Sequence, residues 1–292
     1  MLDFRVKTFL TVCETFNFTK TAALLNITQP AVSQHIKYLE DFYQVKLFTH
    51  KGKKLSLTDE GRLLLNSLTT MSIDEHHLRK SLINYREEKK NLRFGVTLTV
   101  GEYIIPGPLG KMLKKEKLKN VKMMVSNTYH LLEDLNEGII DFAIVEGYFP
   151  QSEYDYIKYS TEKYIAVCSR DSVFAEGEYE LKDLFGETAV IREEGSGTRE
   201  IMQRSLEECN YTVRDFENII EISNLNAIKK LVAMNLGVTF MYKAAVTKEL
   251  EEGSLCEICL SDFNVTHNIT FIWRKNSIYA DFYREIFHSL KA

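Results

Sequence analysis

The sequence predicts an α/β protein in which a helical head precedes a body of alternating strands and helices. Over the first 90 residues, apolar side chains recur at helical spacing. From Leu92 onward, strand-like runs alternate with helical stretches, which is typical of α/β folds with mainly parallel sheets. A chain of 292 residues is too long for one small core, so we expect two or three domains.

The composition is that of a soluble globular protein, with 45% hydrophobic and 27% charged residues. No stretch approaches the roughly 18 consecutive apolar residues of a membrane span. Because Asp3, Arg5 and Lys7 interrupt the first apolar segment, it does not resemble a signal peptide. We therefore expect a cytoplasmic protein that binds no membrane. The pair Cys256 and Cys259 lacks the further ligands that zinc needs, so we expect no metal.

A helix-turn-helix over about twenty residues is predicted after "FNF". Thr19 is expected to cap the short helix "KTAALLN", in which Ala22 and Ala23 allow another helix to cross closely. The next helix, "ITQPAVSQHIKYLEDF", has Thr28 as N-cap and Pro30 in its first turn, where the missing N–H costs nothing. Two helices joined by a tight turn form a common DNA-binding unit.

The second helix of this unit has two faces. Its apolar face should bury Val32, Ile36 and Leu39. Small and polar residues that suit base edges and phosphates occupy the other face: Gln29, Pro30, Ser33, Gln34 and Lys37. Since polar outer faces are universal, a merely solvated surface is the alternative for this helix alone.

A basic hairpin is predicted next, in "KLFTHKGKKLSLT". Two short apolar runs flank the turn His50-Lys51-Gly52-Lys53-Lys54. A β-hairpin with cations at its tip is typical of a wing that contacts phosphates beside a recognition helix. Residues 1–90 carry 14 lysines and arginines against 10 acidic residues, a weak indication in the same direction.

A long helix should follow, capped by Thr58 and beginning "DEGRLLL". Its residues at alternating spacings of four and three predict a coiled-coil seam with one charged interruption: Leu64, Leu68, Met71, Glu75, Leu78, Leu82 and Tyr85. A second copy of the chain would supply the partner helix. Such a dimer would place two recognition helices on a pseudo-palindromic DNA site.

The stretches "FNFTKTAALLNITQPAVSQHIKYLE" and "LFTHKGKKLSLTDEG" resemble the DNA-binding head and linker helix of the LysR-type transcriptional regulators. The resemblance implies that the following residues approach DNA: Thr19, Lys20, Thr28, Gln29, Pro30, Ala31, Ser33, Gln34, Lys37, His50, Lys51, Lys53 and Lys54. Two positions depart from the family, which usually has arginine in place of His50 and glycine in place of Gln44. Because neutral histidine is a weaker phosphate contact, Lys51 or Lys53 is expected to take over.

The resemblance further implies two Rossmann-like subdomains, as in periplasmic binding proteins, with the chain crossing between them near Glu162 and His267. The expected boundaries are 1–58 for the winged head, 59–90 for the linker helix, 91–162 with 268–292 for subdomain I, and 163–267 for subdomain II. Such proteins are DNA-binding regulators controlled by a metabolite bound between the subdomains. Family precedent favours tetramers, and an activator would contact RNA polymerase.

Polar residues follow several of the predicted strands, where an α/β cleft exposes N–H groups and helix N-termini. The expected effector-binding residues are Thr97, Thr99, Ser126, Asn127, Thr128, Glu146, Glu193, Ser196, Gly197, Thr198 and Asn224. Hydroxyls suit the oxygens of carboxylate, sulfate or phosphate, although any one of them could be an ordinary helix cap.

The segments "GVTLTVGEYIIP" and "REEGSGTRE" resemble regulators of sulfur assimilation and carbon dioxide fixation, which implies a small anionic effector. Glu193 and Glu194 would either pair with Arg192 or Arg199, or accept the amine of an amino-acid-like effector.

Two other classes of protein fit less well. A nucleotide-binding enzyme would need GxxxxGK[ST], and no lysine follows the glycines of "REEGSGTRE". A transport solute-binding protein would need a signal peptide, and a DNA-binding head would be useless outside the cell. Because the nucleotide-binding enzyme fits less well than the regulator, we expect no catalytic residues and no cofactor.

Overall fold

The computed structural model describes residues 3–51, 54–83, 90–115 and 118–291. These residues form two compact units, of which one comprises Met1–Glu88 with Arg274–Ala280 and the other Lys89–Trp273 with Asp281–Ala292. The predicted α/β class, with an N-terminal helix-turn-helix and a C-terminal effector-binding domain, is confirmed.

The head follows the predicted order of helices and hairpin. Its elements are α1 (Phe4–Thr15), α2 (Phe18–Leu25), α3 (Gln29–Tyr43), β1 (Phe48–Lys51), β2 (Lys54–Leu57) and the linker helix α4 (Asp59–Ile83). The predicted apolar face of α3 is buried, and Val32, Ile36 and Leu39 share one core with Phe9 and Val12 of α1. Amphipathic spacing therefore specified this core correctly.

The predicted cap of α2 is wrong, because the helix begins one residue before Thr19. Asn17 has an extended backbone, and its side-chain oxygen accepts a hydrogen bond from the Lys20 N–H at 2.9 Å. Asparagine is as good a cap as threonine and stands three residues before a free N–H, so it wins the position. The caps predicted at Thr28 and Thr58 are confirmed by bonds from Ala31 N at 3.3 Å and Gly61 N at 2.9 Å.

The linker helix also holds residues 274–280, which the sequence assigned to the body. Asp74 of α4 is buried and accepts hydrogen bonds from Ser277 Oγ at 2.7 Å and Ile278 N at 2.9 Å. The Thr70 hydroxyl donates to the Lys275 carbonyl at 3.2 Å. These contacts place the segment in the same compact unit as α4.

Strands and helices alternate through the body as predicted. Its elements are β3 (Lys90–Val96), a π-helix (Val100–Ile104), α5 (Pro106–Lys115), β4 (Leu118–Val125), α6 (Thr128–Asn136), β5 (Phe142–Val145), β6 (Tyr154–Ser169), β7 (Thr188–Ile191), α7 (Gly197–Glu208), β8 (Asn218–Glu221), α8 (Leu225–Ala233), β9 (Thr239–Tyr242), α9 (Lys243–Glu252), β10 (Leu255–Glu257), β11 (Val265–Arg274) and α10 (Ala280–Lys291).

The main sheet of the body is mixed, in the order β10-β6-β11-β5-β3-β4, with β9 also paired to β6. Strands β3, β4 and β5 pair in parallel, whereas β11 pairs antiparallel to β5 and β6 pairs antiparallel to both β9 and β10. The expectation of mainly parallel sheets therefore holds only for part of the body. The antiparallel pairs arise at β6 and β11, two long strands that join elements distant in sequence.

The two predicted crossing points lie within these long strands, Glu162 in β6 and His267 in β11. Two separate apolar clusters flank them, one around Val167, Ile228 and Val246 and the other around Leu131 and Ile140. The subdomain boundaries stay a prediction, which the two clusters support.

Candidate functional sites

The outer face of α3 carries the predicted DNA-reading residues. Gln29, Pro30, Gln34 and Lys37 are exposed, as are Thr19 and Lys20 in the first turn of α2. Thr28 is exposed at the N-cap, and Ala31 and Ser33 are half-buried. Gln29 Nε2 donates to Ser33 Oγ at 2.9 Å within the helix. The arrangement leaves the side-chain tips of one helix face available to a groove.

The predicted wing is an antiparallel hairpin in which Lys51 is the cross-strand partner of Lys54. His50 and Lys54 are exposed. Gly52, Lys53 and the side chain of Lys51 lie outside the described residues, so the expected transfer of the phosphate contact to Lys51 or Lys53 stays a prediction.

The predicted seam of α4 divides into two parts. Leu68 is buried in the head core and Leu64 packs against it, so these two residues are used within the chain. Met71, Leu78 and Leu82 are 54%, 45% and 63% exposed, and Glu75 forms an ion pair with Arg79 at 2.7 Å. Within the predicted seam, the exposed apolar residues therefore begin at Met71. Tyr85 lies outside the described residues.

A buried carboxylate, Glu146, stands at the carboxyl end of β5 and is only 1% exposed. Its Oε1 accepts hydrogen bonds from Thr99 Oγ1 at 3.2 Å and Thr198 Oγ1 at 2.8 Å. Burial raises the pKa of the Glu146 carboxyl, and the two hydroxyls and Arg192 only partly offset that rise. Two of the predicted effector residues, Thr99 and Thr198, thus bind the carboxylate of a third, Glu146, and the three come from distant segments.

Further polar atoms of the same segments are buried without a protein partner among the described residues. They are Thr97 Oγ1, Ser196 Oγ and the second carboxylate oxygen of Glu146, Oε2. Because more than nine in ten buried polar groups in native proteins are hydrogen-bonded, such a group indicates a ligand or ordered water.

The alternative that these residues are ordinary helix caps holds for some of them. Asn127 accepts from His130 N at 3.0 Å to cap α6, and Asn224, which is exposed, accepts from Ala227 N at 2.9 Å to cap α8. Ser196 is different, because it precedes α7 without making a side-chain cap bond. Ser126 is half-buried at the end of β4.

Gly197 and Thr128 hold the site together through the backbone of Glu146. A Cβ on Gly197 would lie 2.3 Å from the Glu146 carbonyl oxygen, so only glycine permits this approach. The Thr128 hydroxyl donates to the same carbonyl oxygen at 2.6 Å. Gly197 therefore contributes close packing to the site.

The two glutamates of "REEGSGTRE" are paired within the protein. Arg192 Nε and Nη2 donate to the two carboxylate oxygens of Glu193 at 2.7 and 2.9 Å. Glu194 is 88% exposed on its side chain and lies 3.9 Å from Arg199. Arg192, which sequence reasoning treated only as a pairing partner, is itself 3% exposed. A charged residue directly after a buried strand was the signal that could have identified it.

Two family profiles match the sequence. "Bacterial regulatory helix-turn-helix protein, lysR family" matches residues 5–62, and "LysR substrate binding domain" matches residues 86–282. The chain belongs to the LysR family. Its function at this level is that of a DNA-binding transcriptional regulator with an effector-binding domain.

Relatives of this LysR-family chain support the predicted subgroup. The chain is 28% identical to the HTH-type transcriptional regulator CysL of Bacillus subtilis over 269 residues, which covers 91% of this chain and 89% of CysL. It is 25% identical over 263 residues to a probable RuBisCO transcriptional regulator of Trieres chinensis, covering 88% and 85% of the two chains. The likeness to regulators of sulfur assimilation and carbon dioxide fixation is confirmed.

Full-length LysG from Corynebacterium glutamicum, solved with bound effector Arg, shares the fold. Its TM-score is 0.63 at 14% identity, and the match covers 100% of this chain and 98% of LysG. At this identity the likeness concerns the fold alone.

Neither the cysteines nor the acidic residues form a metal site in the part of the chain that the structure describes. Cys256 lies in β10, Cys259 follows the strand, and both thiols are free. Across the described ranges, none of the helices combines the length and apolar character needed to cross a membrane.

Proposed function

We propose that this chain is a homo-oligomeric transcriptional regulator whose DNA binding or bending is controlled by a small anionic metabolite that also carries a hydrogen-bond donor. The observation that carries the effector half of the proposal is the buried set Thr97, Glu146 and Ser196. Each of the three has a polar atom without a protein partner among the described residues. The chain acts by binding and catalyses no reaction.

The chemistry of these atoms defines the class of effector. The free hydroxyls of Thr97 and Ser196 can donate to the oxygens of a carboxylate, sulfate or phosphate group. The free Oε2 of Glu146 accepts, so it needs an N–H or O–H group on the effector. Amino acids, hydroxy acids and protonated oxyanions meet both requirements, and LysG, solved with bound effector Arg, is a precedent for the first.

The DNA half of the proposal rests on α3, the wing and the linker helix. Exposed Gln29, Gln34 and Lys37 would enter the major groove, and the wing would contact phosphates. Met71, Leu78 and Leu82 offer an exposed apolar stripe to a second copy of α4. A dimer formed there would bind a pseudo-palindromic site and could assemble further into a tetramer. An activator of this design would contact RNA polymerase.

A thermal-shift screen of small sulfur, phosphate, carboxylate and amino-acid metabolites tests the effector half. A ligand that binds only the folded state raises its melting temperature. Thr99→Val removes one hydrogen bond to Glu146. We expect this loss, of about 1.4 kcal/mol, to weaken ligand affinity about tenfold and so to reduce the thermal shift, while DNA binding is retained. Thr247→Val, in α9, is the control, because its hydroxyl bonds only within that helix. An undiminished response in Thr99→Val would contradict the pocket.

Sequencing the DNA that co-purifies with the protein tests the DNA half. The expected result is a site with two related half-sites about one helical turn or a multiple of it apart. Binding of a single chain to a site without internal symmetry would contradict the dimer.

A further inference from the structure

Arg192 is a buried cation whose hydrogen-bonding capacity is incompletely used. It follows β7 directly and is 3% exposed. Two of its nitrogens bind Glu193 in a bidentate pair, while Nη1 is buried and has no protein partner in the described ranges. Bidentate recognition of a carboxylate is what the guanidinium group does best, so the pair with Glu193 occupies the residue's preferred binding mode.

The carboxylate of Glu193 lies in a small anion-binding arrangement contributed by two distant segments. Besides Arg192, the Asn127 side chain, which caps α6, is close enough to Glu193 to lower the pKa of its carboxyl. Burial raises the pKa of the Glu193 carboxyl, but the ion pair with Arg192 and the smaller effect of Asn127 outweigh it, and the pKa is lowered. The Glu193 side chain nevertheless keeps 22% of its surface exposed, so it has a route into solvent.

Arg192 also belongs to the effector site by position. Its charge is close enough to Glu146 and to the buried Tyr164 to lower the pKa of both groups, against the larger effect of burial. Ser196, with its unpartnered hydroxyl, lies four residues further along the same loop. Gly195, at φ +81°, allows that loop to turn between them.

We propose that Arg192 binds the anionic group of the effector and that Glu193 is a built-in competitor, occupying Arg192 until an external anion replaces it. The inference rests on the proposed function, because it assigns the charge recognition of the same effector site. A buried guanidinium without a counter-ion is strongly unfavourable, so Glu193 leaves only when another anion arrives. The effector's affinity is therefore set by how much more strongly its anionic group binds Arg192 than Glu193 does. Glu193 thereby raises the effector concentration at which the protein responds.

The experiment uses the full chain, with inorganic sulfate and phosphate as probes and chloride at equal ionic strength as reference. Affinities come from thermal shift and isothermal titration calorimetry. Glu193→Gln removes the competitor and should bind the anions about tenfold more tightly than the wild type. Arg192→Lys loses the bidentate geometry and should bind them about tenfold more weakly. Glu194→Gln removes the same charge from the neighbouring, exposed position and should leave the affinity unchanged.

The direction of the Glu193→Gln effect decides the proposal. A structural role for Glu193 predicts weaker or unchanged anion binding in that variant, and either result would overturn the competitor. Undiminished binding in Arg192→Lys, or equal shifts with sulfate, phosphate and chloride in both the wild type and Glu193→Gln, would overturn the Arg192 assignment. If Thr99→Val lost the metabolite response and Glu193→Gln showed no gain in anion affinity, the proposed effector site would stand. The role of Glu193 as a competitor would then be contradicted. Gel shifts confirm that each variant retains a folded head.

Discussion

The outer face of α3 and the site around Glu146 both consist of small polar side chains, yet they differ in exposure. On α3, Gln29, Gln34 and Lys37 are exposed to solvent. Around Glu146, Thr97 and Ser196 are 1% and 2% exposed and keep unpartnered oxygens. An exposed polar group is satisfied by water at no cost, whereas a buried one without a partner costs free energy. Unpartnered buried atoms therefore mark a candidate small-molecule pocket, whereas an exposed face proposed to bind DNA carries no such structural sign.

The same difference predicts opposite responses to mutation. The outer face of α3 points away from the head core, so substitutions on it should leave the stability of the protein unchanged. The Glu146 site is built into the packing of three segments, so its binding and its stability should change together. Each of the following experiments tests one side of this contrast.

Gly197→Ala should have the largest effect, because the added Cβ would meet the Glu146 carbonyl oxygen at 2.3 Å. We expect a loss of about 1–3 kcal/mol in the free energy of unfolding, as for other overpacked sites. Urea denaturation of the full chain measures it. Gly110→Ala is the control, since nothing lies within 4 Å of its Cβ and it lies in α5. That variant should gain about 0.5–1 kcal/mol from helix propensity. Equal stability of the two variants would contradict the close approach at Gly197.

Gln34→Ala tests the exposed side of the comparison. It should weaken binding to the cognate site by about 1–3 kcal/mol per lost base contact. The free energy of unfolding should change by less than about 0.5 kcal/mol, because no packing is lost. Gel shifts with cognate and scrambled DNA measure the binding, and urea denaturation measures the stability. Gln203→Ala in α7 is the matched control. Unchanged gel shifts would show that the recognition face is assigned to the wrong residues.

Glu146→Gln tests the cost of the buried carboxylate through pH. Since the folded state raises the pKa of Glu146, its contribution to stability is complete below the ordinary pKa of 4.5 and is lost as the pH rises through the raised value. Glutamine does not titrate, so the variant should become progressively more stable than the wild type as the pH increases above that range. Melting temperatures between pH 4 and 8 measure this. A stability gain that is largest at low pH would contradict the assignment.

Gln44→Gly should have the smallest effect, and it concerns the head alone. Gln44 ends α3 in the left-handed conformation at φ +57°, which favours glycine. Left-handed backbone costs an ordinary residue about 1–2 kcal/mol, part of which the greater chain entropy of glycine offsets, so we expect a gain of about 0.5–1 kcal/mol. Asn26→Gly, at φ +54°, is the control and should gain less, because asparagine tolerates this conformation. Thermal melts that rank the two variants in the opposite order would contradict this account.

Sequence reasoning succeeded where the decisive interactions are local. The Thr28 cap, the buried face of α3 and the hairpin of the wing depend on residues a few positions apart, so their patterns are legible in the chain. Even the local error at Thr19 was a choice between two nearby caps. For the proposed effector site, the sequence predicted the strand ends that contribute polar residues, but not that the Glu146 carboxylate would bring Thr99 and Thr198 together.

The sequence by itself determined the family, the helix-turn-helix, the hairpin of the wing and the segments that we propose for the effector site. Only the tertiary structure decided that Glu146 joins Thr99 and Thr198, from 47 and 52 positions away, and that Asp74 holds Ser277 across 203 positions. It also decided that Arg192 is buried beside its own counter-ion. Helical periods and caps are set by neighbours in the chain, whereas burial and the partner of a charge are set by segments that meet only after folding.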